Sequence, residues 1–286
     1  MEKNRIPLSS RMVRDKKAVS PAISTVILTG VIIALLLVTT VFANNFLEAR
    51  LAENEFKAME QFMQTVGLQV DDVAWMIGRT QTLRYASRYG SVKIEGALTY
   101  TIEVKVGSTW KTLAVNSTNM IFFNMPISKY SISNNHFKLI FPSENKSILL
   151  EGTSAPVTRV FTVEKLPMSD GDYIRIVVVP IIRVLNSTVT MGLNTTNYIK
   201  VYLPILNVGQ RPYHSQSITI TGQNISRIAE INVDAVRVNA TFPNAGLGFT
   251  SEFFNFESNS VFYDVQDGSV VEIYLGEVLV HLGLHG

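Results

Sequence analysis

The groups in this chain that could bind a metal or attack a substrate are few. There is no cysteine, which removes disulfides, thiolate metal ligands and a cysteine nucleophile together. The histidines are His136, His214, His281 and His285. The last two are four apart, a spacing that suits a metal on one helix face. They stand in a Gly-containing segment that reads as strand and tail, so no metal site is expected. Asp170-Gly171-Asp172 begins like a calcium loop but lacks the later ligands, and a turn accounts for it. There is no P-loop, no Gly-x-Ser-x-Gly elbow and no His-Glu-x-x-His. The carboxylates are not clustered as an acid/base pair. The expectation is a non-enzyme without metal or cofactor.

Two local patterns are written more clearly. Six asparagines stand in Asn-x-Ser/Thr sequons: Asn116, Asn145, Asn186, Asn194, Asn224 and Asn239. Chance placement gives roughly three under the acceptor rule, so the excess is about twofold. All six lie on the C-terminal side of a long apolar run. Ahead of that run, residues 16 to 25 read Lys-Lys-Ala-Val-Ser-Pro-Ala-Ile-Ser-Thr, a basic–small–apolar junction. Ser20 and Pro21 also have a local explanation. Ser20 can cap a helix by accepting a backbone N–H bond, and Pro21 fits the first helical position.

The elements that carry these sites follow from charge and periodicity. The net charge is +2 at pH 7, but the first 17 residues hold six basic residues against Glu2 and Asp15. A small basic tail on a nearly neutral body is not a nucleic-acid-binding pattern, which spreads basic residues over a folded face. It orients a chain at a membrane, with the tail inside. From Ala18 to Leu47 there is no charge. Residues 22–43 match the roughly 20 apolar residues that cross a bilayer as a helix. A secretory signal has a shorter apolar stretch followed by a cleavage region. Here Asn44-Asn45 and a patterned helix follow, so the apolar segment is expected to stay in the mature chain.

The junction resembles the class III signal peptide of archaeal type IV pilins, whose mature chains often begin with a Val-Ser-Pro-type sequence. The likeness covers roughly residues 11 to 45. It implies a cut after Lys17 and Ala18, with Val19 as the new N-terminus and residues 1–18 as the removed leader. A cut between Lys17 and Ala18 fits less well. It also implies that Ile23, Val26, Ile27, Val31, Leu35, Val38 and Phe42 pack in a filament core. The bacterial relatives carry a Glu five residues into the mature chain. Ile23 stands there instead, which favours the archaeal branch and removes one assembly contact. Archaellins start with a Gly-Ile-Gly-Thr-like run, absent here. Glycosylated surface filaments are common in the family, which gives the sequons a purpose.

Beyond the apolar run, Phe56, Met59, Met63, Val66, Val70, Val73 and Ile77 are spaced alternately by three and four. That is an amphipathic helical stripe over three heptads. It passes Gly67 in phase, although Gly costs about 1 kcal/mol in a helix relative to Ala. Glu53 and Lys57 form a favourable pair four apart. Tyr89-Gly90 offers a C-terminal stop, so the helix is expected over 19–90, about 100 Å of rise from Pro21, with a bend near Gly67 or Gly78. Its stripe faces either its own distal domain or neighbouring subunits. Arg79, Arg84 and Arg88 read as solvated charges or partners of Asp71 and Asp72. Trp75, off the stripe, is expected to pack on the distal region.

After Gly90, short Val/Ile/Thr/Tyr runs separated by Gly, Asn, Ser and Pro read as strands. Leu98–Val106 and Thr109–Val115 around Gly107-Ser108 read as a hairpin. Further strands are expected at Phe137–Phe141, Val157–Val163, Tyr173–Val184, Tyr198–Leu206, Ser217–Thr221 and Val270–Leu275, with Pro180 breaking or edging its strand. The expected class is α+β: a long N-terminal helix and an antiparallel β-sandwich-like domain over 91–286, divided, if at all, near 167–171. The resemblance implies a pilus-like filament subunit whose partners are a prepilin peptidase, the assembly machinery, the membrane before assembly and copies of itself. The precursor then lies in the cytoplasmic membrane and the mature form in an extracellular filament. A lone membrane-anchored surface protein and an anchored extracellular enzyme stay open.

Overall fold

The computed structural model describes residues 21–143, 145–192, 194–210 and 215–283. Helix α1 runs from Pro21 to Ala74 and is shared by two compact units, which divide between Glu48 and Ala49. In the first unit, Ile23–Leu47 is exposed throughout, with its large apolar side chains 47–74% accessible. The stretch from Ile23 to Glu48 rises about 39 Å at 1.5 Å per residue. Thr40 donates its hydroxyl to the Leu36 carbonyl at 2.7 Å, so this polar group is satisfied within the helix.

In the second unit the stripe is buried. Ala52, Phe56, Met59, Met63, Val66, Val70 and Val73 are at most 2% exposed and pack against Ile94, Phe123, Ile176 and Val178 of the sheet. The helix passes Gly67 unbroken, and the sheet explains the residue. A Cβ there would lie 2.9 Å from Val160 Cγ2 and 3.1 Å from Thr158 Oγ1. Thr158 also donates its hydroxyl to the Gly67 carbonyl at 2.9 Å. The helix propensity lost at Gly67 is thus offset by close approach. Gly67→Val is expected to destabilise the fold by about 1–3 kcal/mol through overpacking, read as a lower urea midpoint.

The helix ends at Ala74, not at Tyr89-Gly90. Gly78 takes φ +81, and its N–H donates to the Gly222 carbonyl at 2.7 Å while Gly222 returns a bond to the Arg79 carbonyl at 3.0 Å. This exchange turns the chain into strand β1, Thr80–Arg84, which pairs antiparallel with β10. Ile77 therefore leaves the stripe and is 66% exposed.

The remaining strands are β2 (Ser91–Val106), β3 (Thr109–Pro126), β4 (His136–Phe141), β5 (Leu149–Glu151), β6 (Thr158–Glu164), β7 (Tyr173–Pro180), β8 (Ile182–Met191), β9 (Asn194–Val208), β10 (Ser217–Thr241) and β11 (Ser260–Leu282). They form one 11-stranded sheet in the order β4-β6-β7-β3-β2-β10-β11-β9-β8-β5, with β1 on β10. Most pairs are antiparallel, but β9–β11 and β5–β8 are parallel. The class is α+β as expected, but the sheet is mixed, where an antiparallel sandwich-like domain was expected. β6 and β7, which flank residues 167–171, pair with each other, so no boundary falls there.

Bulges let one sheet serve two cores. A register shift between Gly96 and Leu98 exchanges the faces of β2. Val92 and Ile94 consequently meet α1, while Leu98, Tyr100, Ile102 and Val104 enter the other core. In β7, Ile174, Ile176 and Val178 face the helix and Val177 and Val179 the opposite side, which is why Val177-Val-Val179 is uninterrupted. Pro180 ends β7, as its missing N–H requires.

The second core includes Phe161, Phe249 and the short helix α2 (Ser251–Phe254). It also encloses Arg159, wholly buried, whose guanidinium lies 5.0 Å from the Phe256 ring and 5.6 Å from Phe137 and Phe161. Nη2 donates to the Asn255 carbonyl at 3.3 Å, but Nε and Nη1 have no hydrogen-bond partner. Burial pulls this guanidinium down to about 10. An apolar side chain of similar length avoids that desolvation. Arg159→Met is expected to raise unfolding free energy by about 1–4 kcal/mol, as replacement of poorly compensated buried charges does, measured by urea unfolding.

Candidate functional site

The processing junction, Lys17, Ala18, Val19 and Ser20, lies outside the described residues, and Pro21 opens α1. The next candidates, Ile23, Val26, Ile27, Val31, Leu35, Val38 and Phe42, are all exposed. Their helix is long and apolar enough to cross a membrane by length and composition, and its most apolar stretch is not buried. Such a helix satisfies its backbone internally and presents a predominantly apolar, uncharged surface outward, as residence in lipid requires.

Within the second unit, acidic residues beside the stripe fasten the helix to its own domain. Glu55 accepts from four donors of one loop: the Ser87 hydroxyl at 2.6 Å and the backbone N–H groups of Arg88, Tyr89 and Gly90 at 2.9, 3.1 and 3.3 Å. Gly90, expected as a helix stop, has another reason to be glycine. A Cβ would lie 2.1 Å from the Phe123 ring. Glu60 accepts from Thr162 Oγ1 at 2.9 Å and from Lys138 Nζ at 3.2 Å. Asp71 accepts from Trp75 Nε1 at 2.9 Å and Arg183 Nη1 at 3.2 Å. Trp75 packs edge-on to Tyr202, ring centroids 5.1 Å apart, as its place off the stripe suggested. The backbone of Gly276 lies beneath, where a Cβ would meet the Ala74 carbonyl at 2.4 Å.

Glu55 and Glu60 were not singled out in the sequence, and Asp71, expected beside Arg79, Arg84 or Arg88, pairs with Arg183 instead. Their signal was local: Glu55, Glu60 and Asp71 are each next to a stripe residue, where a side chain reaches around the helix to the sheet. Glu55→Ala is expected to cost about 2–3 kcal/mol, because several partly buried donors lose a charged acceptor. Glu55→Gln should cost less, since an oxygen remains. Thermal unfolding of both variants checks the order.

The other charges are structural pairs. Glu53 and Lys57 are joined at 2.6 Å, and Arg79 pairs with Asp72. Arg88 lies over the Tyr89 ring at 5.3 Å. Asp170, the first residue of the calcium-like triplet, pairs with buried Arg175 at 2.5 Å. Gly171 has φ +117, so this segment is a turn. His281 Nδ1 accepts from the Gln210 N–H at 2.8 Å, while His214 and His285 lie outside the described residues.

The sequons are mostly not in turns. Asn116 lies on β3, Asn186 on β8, Asn194 at the start of β9, and Asn224 and Asn239 on β10. Asn145 is in a loop, exposed, with Oδ1 accepting from the Ser147 N–H at 2.8 Å. That local bond is an Asx turn, the conformation expected of a turn asparagine.

Comparison with family models, with curated proteins and with solved structures finds no match for this chain.

Proposed function

We propose that the chain is a structural subunit of an extracellular, archaeal-type IV pilus-like filament. Its leader is cut between Ala18 and Val19 by a prepilin-type peptidase. The apolar half of α1 resides in the membrane and then enters a bundle with the same half of other copies. Lipid and sibling helices are alternative partners for one surface. Repetition of a single head-to-tail contact then grows an open polymer. The β unit forms the outer layer.

The observation that supports this reading is the division of labour along α1. Residues 23–47 form an exposed apolar surface. The stripe from Phe56 to Val73 is wholly used by its own sheet. A polymerising helix needs both: a free surface to share and a fixed attachment to the domain it carries.

One feature favours a second reading, a single-pass anchored surface protein that does not polymerise. With the amphipathic half consumed by its own domain, only the apolar half remains for other copies, and lipid alone could satisfy it. Intact-mass analysis of the chain from its native membrane separates the two. The filament reading expects a mature N-terminus at Val19. A chain that still begins at Met1 would count against it.

A further inference from the structure

Away from the helix, four strands turn a common face to solvent, where Glu103 of β2, Arg237 of β10 and Phe262 of β11 stand in one register row. Trp110 of β3 is opposite Lys105 in the adjoining row. The Arg237 guanidinium lies against both rings, 4.5 Å from the Trp110 centroid and 5.8 Å from that of Phe262. The rings are 6.2 Å apart and nearly perpendicular. This stack fixes Phe262 in place, yet leaves it 60% exposed.

Fixed polar groups adjoin the stack. Arg237 Nε donates to Glu103 Oε2 at 2.7 Å, and Asn239 Nδ2 donates to the same oxygen at 3.0 Å. Among the described residues this leaves Glu103 Oε1 and Asn239 Oδ1 as acceptors held in position without protein donors. The charges cancel: Lys105 and Arg237 stand against Glu103 and Asp264, which is opposite Ala235 in Lys105's row.

Each property narrows the partner. A face without net charge gives no attraction to an acidic polymer or nucleic acid. A second copy would need a wider apolar patch to make a stable contact, and would bury the two acceptors unless it brought donors to them. A neutral sugar fits all of these features. Its C–H face covers an exposed aromatic ring, and its hydroxyls donate to a carboxylate and an amide oxygen and accept from a guanidinium. We propose that this face of β3, β2, β10 and β11 binds neutral saccharides, with Phe262 as the stacking platform and Glu103, Arg237 and Asn239 as the hydroxyl-reading groups. The site does not depend on polymerisation.

The chain has two tryptophans, Trp75 and Trp110. Full-length protein in lipid nanodiscs, free of sugar detergents, is titrated with cellohexaose, maltohexaose and mannohexaose while tryptophan emission is followed. At least one oligomer should give a saturable change. The change should vanish in Trp110→Phe, which retains Trp75, and Phe262→Ala should weaken binding at least tenfold. Phe262 is on the surface, so circular dichroism should be unchanged. Glu103→Gln, which keeps the residue's shape, should also weaken binding. The proposal is overturned by no change with any of the three oligomers, or by binding that persists in both Phe262→Ala and Glu103→Gln. It is also overturned by a response to an acidic oligomer alone, by self-association that Phe262→Ala abolishes, or by a covalent glycan on Asn239 occupying the face.

Discussion

Phe56→Ala should cost the folded β unit about 3–5 kcal/mol, the range for emptying a large aromatic site in a packed core. Phe56 is 1% exposed, with its ring 5.1 Å from Tyr130 and 6.4 Å from Phe123. It belongs to the apolar seam by which α1 is attached to the sheet. Leu36→Ala is the matched control. Leu36 is exposed on the same helix, so its removal should leave urea unfolding of the β unit within about 0.5 kcal/mol of the parent chain. The contrast tests whether the two halves of one helix have different partners. Comparable losses from both substitutions would show that the apolar half is also part of the folded unit's core.

The second large effect is on membrane residence. Leu35→Arg with Val38→Arg should release the chain from the membrane. Near the centre of a membrane helix each arginine costs about 2.5–3.5 kcal/mol and forfeits the favourable transfer of the residue it replaces. Two together bring the penalty to about 6 kcal/mol or more. Both positions are exposed and belong to the first unit, outside the residues that make up the β unit's cores. Thermal unfolding of the β unit should therefore be unchanged while carbonate extraction moves the chain to the soluble fraction. A double variant that remains in the carbonate-resistant pellet would contradict membrane insertion of this segment.

What was legible in the sequence divides along the range of the interactions. The stripe from Phe56 to Val73 could be read because helical period is a local property and one face meets a core. Its last member could not. Ile77 is in phase, but the chain departs at Ala74 because Gly78 and Arg79 exchange bonds with Gly222, well over a hundred residues away. The β2–β3 hairpin was readable from Gly107-Ser108, and Gly107 indeed takes φ +59. The full lengths of β10 and β11 were not. Only Ser217–Thr221 and Val270–Leu275 look like strands by composition. The middle of β10, Asn224–Glu230, has no fully buried side chain and is held in its ladder by β11. The parallel β9–β11 pair was equally hidden, since pairing partners are set by topology rather than by local pattern. The same limit applied to the site. Exposure of residues 23–47 follows from composition, whereas the bonds of Glu55 to residues 87–90 and the stack of Trp110, Arg237 and Phe262 exist only once distant segments meet.

The most direct test of the filament account is electron microscopy of material sheared from the surface of the native cells, with its protein identified by mass spectrometry. The account predicts thin filaments that contain this chain beginning at Val19, with residues 23–42 of many copies bundled along the axis and the β unit outside. Recovery of the chain only from the membrane fraction, uncut at Met1 and absent from every sheared filament, would contradict it.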